Sequence, residues 1–279
     1  MPKNHFEPMH INASPEDMGG NNGIGRYILL PGSDGRAQEI ARHFTSMVVK
    51  PHYRAHNLYL GTLLCDGKKI DVATVSSGMG CPSAEIIVHE LFHLGARRFL
   101  RIGTAGSLQP DFVKVGDIVN VQASVRDEGT TQDYVPLEFP AVASLEMASS
   151  TLLAAERLGL SDRIHTGVVH CKNSLYAREF GAGPRHEQNK AYLDFLTKTG
   201  VLASEMETAT LFIQSQLYNY QLRKEGSGPS HQVLSGAILG IISNTKTFDK
   251  TSKSKSAVDD NIALGLETIK TLAMQELLD

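Results

Sequence analysis

The stretch Phe99-Leu100-Arg101-Ile102-Gly103-Thr104-Ala105-Gly106-Ser107-Leu108 constrains the fold of this chain more than any other. A strand buried on both faces of a sheet reads as a nearly continuous apolar run, and here one arginine interrupts it. A buried guanidinium is costly unless an anion meets it, so Arg101 predicts a negative partner. Past it, Gly103 and Gly106 with the hydroxyls of Thr104 and Ser107 predict a small-residue turn whose backbone N–H groups face a ligand. Open α/β sheets bind ligands at that place, just beyond the carboxyl ends of their strands. The plainer alternative is an edge-strand arginine followed by an ordinary turn.

The flanking segments extend the pattern. Residues 26–30 read as a strand, the turn 31–36 feeds an amphipathic helix to about Phe44, and 51–67 is strand-rich. Residues 69–76 alternate as a strand, and a helix from Pro82 to about Leu94 returns to the Phe99 strand, a βαβ unit of right-handed sense. Further strands are expected over 116–121, 164–171 and 233–242, and helices over 144–158 and 256–278. Residues 177–188 read as a mobile loop over a site, 221–231 as a loop, and 243–256 as a polar, flexible segment. The expectation is an α/β fold, a single domain over residues 1–279, with a mixed, twisted central sheet flanked by helices.

Apolar residues make up 41% of the 279, enough for a core, and the net charge of -3 argues against nucleic acid or an anionic membrane as partner. A small-molecule substrate fits better. Cys65, Cys81 and Cys171 form no CxxC pair, which suits reduced thiols. The first ten residues carry no apolar signal region and no apolar run reaches membrane-spanning length, so a soluble, cytoplasmic protein is expected.

Two local motifs have competing explanations. His89-Glu90-Leu91-Phe92-His93 matches the zinc-protease pattern HExxH. Helical periodicity places Ala84, Ile87, Val88, Leu91, Phe92 and Leu94 on one apolar arc and His89, Glu90 and His93 on the solvated side, with no third ligand at the metzincin spacing. No metal is therefore expected. Ser204-Glu205-Met206-Glu207 has capping-box spacing, in which Glu207 would only bond back to the Ser204 backbone.

Taken together, the residues 99–104, Gly116-Asp117, 123–126 and 136–142, with the turn 31–36 and Glu205-Met206-Glu207, resemble the nucleoside phosphorylase family over nearly the whole chain. The resemblance implies reversible phosphorolysis of a nucleoside, uridine before a purine nucleoside, to free base and ribose 1-phosphate. By resemblance Gly32, Arg36, Arg101 and Thr104 hold the phosphate, joined by Arg54 of a neighbouring subunit. Three arginines suit a dianion, because charge-assisted pairs are strong and fix its orientation. Glu207 takes the ribose hydroxyls with Met206 beneath, His10 of the neighbour meets the far hydroxyl, and Arg101, Thr104 and Glu207 carry the chemistry. The base falls among Gly106, Leu175, Tyr176, Arg178 and Asn244. There the family's glutamine and arginine, two apart, are replaced by residues 177–181, leaving Arg178, Arg185 and Gln188 as substitutes that spacing does not rank. A second uracil-facing arginine would fall near Thr245, beside Lys246, and Asn244 follows Ser243 where purine-cleaving relatives carry an acid. The resemblance also implies no cofactor beyond phosphate as co-substrate, and a homodimer as minimal unit with a hexamer as a larger assembly. A nucleoside-binding protein that has lost turnover is the alternative from another class.

Overall fold

In a computed structural model, which describes residues 6–228, 231–244, 247–248 and 252–278, the chain enters β1 (Tyr27–Pro31), α1 (Asp34–Ala41), β2 (Thr45–Lys50), β3 (Leu58–Cys65) and β4 (Lys68–Thr74). The helix α2 (Cys81–His93) crosses back to β5 (Arg98–Ser107), followed by β6 (Ile118–Asp127) and the short β7 (Ala141–Val142). Next come α3 (Leu145–Arg157), β8 (Ile164–Lys172), the pair α4 (Leu175–Phe180) and α5 (His186–Lys198), and β9 (Ala203–Glu205). The described residues end with α6 (Thr208–Lys224), β10 (Leu234–Asn244), β11 (Thr247–Phe248) and α7 (Ser252–Leu278).

All the strands join one mixed sheet, as the alternating pattern predicts, in the order β11-β10-β6-β8-β9-β5-β1-β4-β3-β2. β5 is its pivot: it runs parallel to β1 on one side and to β10 on the other, and antiparallel to β9 near its end. Because β10 pairs both β5 and β6, strands β5, β10, β6, β8 and β9 close into a ring, and β1, β4, β3 and β2 extend from it as an open wing. β4, α2 and β5 form the expected βαβ unit around β1.

The helices cover both faces. Ile87 and Leu91 of α2 and Leu211 and Phe212 of α6 pack with Ile28, Leu30 and Phe99 on one side. Ala37 and Ile40 of α1, Met147 and Ala154 of α3 and Ile262 and Ile269 of α7 pack with Leu29, Leu100 and Ile102 on the other. Strand residues thus alternate between two apolar layers, which explains the unbroken apolar run of β5. Among the described residues no helix is long and apolar enough to cross a membrane.

Several boundaries differ from the sequence reading. Residues 103–107 form no turn: β5 continues through Ser107, paired with β10 and β9. Gly103 marks close approach instead, because a Cβ there would lie 2.6 Å from Leu239 Cδ2. The stretch 177–188 is helical at both ends; Ser174 caps α4 by accepting from Ala177 N at 3.3 Å, and Gly181 ends it with φ 70°. α1 stops at Ala41 rather than Phe44, β2 precedes Pro51 while residues 51–57 carry no strand, and α6 reaches Lys224. α7 begins at Ser252 rather than at 256. Thr245, Lys246 and residues 249–251, on which part of the flexible-segment expectation falls, lie outside the described residues.

Candidate active site

The ends of β1, β8, β9 and β10 and the second half of β5 surround a cavity of about 260 Å³. Gly32, Arg36, Arg101, Thr104, Gly106, Leu175, Met206 and Glu207, all named from the sequence, line it together. The lining also includes Met79, Lys172, Glu179, Ser204, Glu205 and Ser243, to which sequence reasoning gave no role in the site.

At one end, Ser33 caps α1 by accepting from Arg36 N, so the helix presents its N-terminus and the Arg36 side chain to the cavity. Arg36 has no ion-pair partner among the described residues. Burial, and then the charge of Arg101, hold its guanidinium below its ordinary pKa. Two neighbouring guanidiniums, one of them unpaired, make a place for an anion.

Arg101 already meets anions supplied by the chain. Its Nη2 donates to Glu207 Oε2, its Nη1 donates to Ser77 Oγ at 3.0 Å, and its Nε lies 3.7 Å from Glu205 Oε2 without an aligned acceptor. The buried arginine of the central run is thus partnered, and its carboxylate partners lie about a hundred residues away in sequence.

Glu207 is held from two sides, because Gly80 N also donates to its Oε1 at 2.6 Å. That contact needs the turn before α2, where Gly78 and Gly80 have φ of 72° and 83°. A Cβ on Gly78 would lie 2.0 Å from Ser83 Oγ. Burial is the largest influence on Glu207 and raises its carboxyl above the ordinary range, against the pull of Arg101. The capping-box reading is corrected: Ser204 stands in β9 and Glu207 makes no side-chain cap, while Glu205 accepts from Glu207 N at 2.8 Å and from Thr208 N at 3.1 Å. The adjacent carboxylate fixes the helix start and leaves Glu207 to the cavity.

The remaining sequence-named residues stand elsewhere. Arg178 points away from the cavity and donates to Asp127 Oδ1 at 2.7 Å and to Asn189 Oδ1 at 2.8 Å. Tyr176 and Asn244 are exposed and outside the lining, as are Arg185 and Gln188. Arg54 is exposed against Tyr53, and His10 Nδ1 lies 2.7 Å from Glu90 Oε1. Neither lines the cavity of its own chain.

The HExxH segment is also corrected in one respect. His89 and His93 face outward as expected, but Glu90 is buried. The N-terminal segment lies over α2, and its Met9, His10 and Ile11 N–H groups donate to the Glu90 carboxylate at 2.9, 3.0 and 3.1 Å. A carboxylate so engaged tethers a segment and is not free to act as the base of a hydrolytic zinc site. Cys65, Cys81 and Cys171 are unbridged, although Cys81 Sγ and Cys171 Sγ lie 3.5 Å apart; burial raises the Cys171 thiol well above its usual pKa.

A sheet-end cavity in an α/β fold, with two arginines at one end and a buried glutamate beside them, has the charge to hold an anion next to a small polar molecule. The chain belongs to the phosphorylase superfamily, whose family model matches residues 26–250. It is 34% identical to a uridine phosphorylase of Treponema pallidum (strain Nichols) over 256 residues, 91% of this chain and 92% of that protein. It is 30% identical over 271 residues to a uridine phosphorylase of Thermococcus kodakarensis, covering 95% and 86% of the two chains. A guanosine phosphorylase of Halorubrum lacusprofundi is 33% identical over 189 residues, 68% of this chain and 71% of its own.

Proposed function

We propose that this protein catalyses the reversible phosphorolysis of a nucleoside, uridine foremost, giving the free base and ribose 1-phosphate. The observation that carries this reading is the placement of the unpaired Arg36 beside Arg101, at a helix N-terminus and within one cavity with Glu207. Phosphate held by Arg36, Arg101, Thr104 and the Gly32 backbone would bring an oxygen to C1′ as the base departs. Glu207 would accept hydrogen bonds from the ribose hydroxyls, with Met206 beneath the sugar. As C1′ gains positive charge and the base gains negative charge, positioning and electrostatics carry the displacement, and no metal or organic cofactor is required. His10 and Arg54, which do not reach their own cavity, would complete that of a second copy, so a homodimer is the minimal unit and a hexamer a larger assembly open to it. The reading includes a cytoplasmic location, which the unbridged cysteines support.

The test is release of uracil from uridine by the purified protein. Release that requires phosphate, yields ribose 1-phosphate and ignores a chelator is the expected result. Tight uridine binding without release would favour a binding protein, and loss of activity with chelator would favour a metalloenzyme.

A further inference from the structure

The end of the cavity away from Arg36 contains a second charged pair that the phosphate and ribose do not use. Gly106 lies five residues beyond Arg101 along β5, so the strand sets this end of the cavity apart from the paired arginines. Over Gly106 stands Glu179 of α4: a Cβ on this glycine would lie 2.6 Å from Glu179 Oε1 and 2.9 Å from Ser243 Oγ. Glu179 Oε2 is 2.8 Å from Lys172 Nζ, and both side chains are only 3% exposed. That oxygen has no aligned hydrogen-bond donor among the described residues.

Both groups are held in place by a series of contacts that starts at the cavity wall and leads away from it. Lys172 Nζ donates to Ser204 Oγ at 3.0 Å, Ser204 Oγ lies 3.1 Å from His170 Nδ1, and His170 Nε2 lies 2.9 Å from Asp127 Oδ2. Asp127 in turn pairs with Arg178, the residue before Glu179 on α4. The strand that carries Lys172 and the helix that carries Glu179 are thus joined behind the pair. Desolvated charges fixed in this way exact a price that a bare structural tie does not need.

We propose, resting on the phosphorolysis reading above, that Lys172 and Glu179 read the edge of the nucleobase. Lys172 donates to a carbonyl oxygen and Glu179 accepts from the adjacent ring N–H. An ammonium offers only donors and an ionised carboxylate only acceptors, so this pair has a fixed polarity that a glutamine, with one of each, lacks. The substrate class is nucleosides whose base carries a ring N–H beside a carbonyl, the edge common to uracil and guanine. The relatives named for uridine and for guanosine share that edge despite their different ring sizes. Cytosine presents the reverse order, an acceptor at the ring nitrogen and a donor on the exocyclic amine, and places like against like on both residues. Lys172 also meets a base oxygen onto which negative charge spreads as the glycosidic bond breaks.

The experiment compares kcat/KM for uridine, 3-methyluridine and cytidine in the wild type, Glu179→Gln, Lys172→Met and the exchanged pair Lys172→Glu with Glu179→Lys, together with KM for phosphate and the melting temperature. The wild type should favour uridine over both analogues by about a hundredfold or more, because cytidine sets like against like on both residues and 3-methyluridine puts a methyl group where Glu179 needs an N–H. Glu179→Gln should narrow the uridine to cytidine ratio by about tenfold with KM for phosphate unchanged. The exchanged pair, if it folds, should favour cytidine. Wild-type selectivity retained in both single variants would overturn the proposal, as would a uniform loss of every substrate and of phosphate affinity with a lowered melting temperature, the mark of a structural tie. If the wild type releases no base from any nucleoside, the phosphorolysis reading fails by itself. The pair is then judged by calorimetry with free uracil, 3-methyluracil and cytosine: uracil preferred, and the preference lost in Glu179→Gln, supports it, and equal binding of the three overturns it.

Discussion

Glu207 combines two demands that oppose each other. Its buried carboxyl resists ionisation, yet Arg101 and Gly80 N hold it in the geometry of an anion. Glu207→Gln keeps the shape and removes the charge, so a charged contact with the ribose hydroxyls worth about 1.5–3 kcal/mol is lost and turnover should fall roughly 10- to 150-fold, measured as kcat/KM for the nucleoside. The same carboxyl binds its proton more tightly in the folded than in the unfolded chain. Raising the pH from the ordinary glutamate range, about 4, toward the higher folded value should therefore lower wild-type stability relative to Glu207→Gln, as read by urea midpoints across that window. Chemistry at this scale is partly legible from sequence. An arginine inside an apolar strand announces a buried anion, but its carboxylate partners stand about a hundred residues away, where residue spacing holds no information about contact. Lys172 and Glu179 are silent for a similar reason: each looks like an ordinary charged residue until the fold removes both from water.

Elements were legible where period and length agree. α2 and α3 have apolar arcs facing the sheet and fall within a residue or two of the expected bounds. At two glycine-bearing stretches the reading failed. Gly103 and Gly106 serve close strand and side-chain approach, and Gly181 and Gly183 stand in a short link between α4 and α5 rather than in a loop running from 177 to 188. Glycine marks missing side-chain volume as well as turns, and only the packing partner distinguishes the two. The terminal α7 is tied to the sheet by Glu276, which pairs with buried Arg98 of β5 and accepts from Tyr27 Oη of β1 at 2.8 Å. Glu276→Ala should destabilise the protein by about 3 kcal/mol, the lower end for breaking a buried pair because Arg98 keeps the Gln232 carbonyl. Equilibrium urea unfolding measures this; a change below about 1 kcal/mol would reduce the contact to a surface pair.

At the scale of the whole molecule, the sheet brings Arg36 from the wing and Arg101, Lys172 and Glu207 from the ring to one cavity, and His10 and Arg54 remain outside it. If a second copy supplies Arg54, subunits carrying Arg54→Ala and subunits carrying Arg36→Met, each inactive alone, should recover about a quarter of wild-type turnover when mixed and exchanged, since half the dimers are mixed and each of these has one intact site. No recovery after verified exchange would show that each chain works alone. Phosphate recognition itself is tested most directly at Arg36. Arg101→Ala would strand two buried carboxylates and confuse folding with binding, whereas Arg36 has no ion-pair partner among the described residues and is disfavoured by the Arg101 charge. The measurement is melting temperature against phosphate at constant ionic strength, for wild type and Arg36→Met. Phosphate bound to the native state must raise the wild-type value, by about 2.7 kcal/mol of stability at a hundred times its dissociation constant. Arg36→Met should melt no lower than wild type without phosphate and gain little when phosphate is added; a variant that gains as much as wild type would contradict phosphate binding at this pair of arginines.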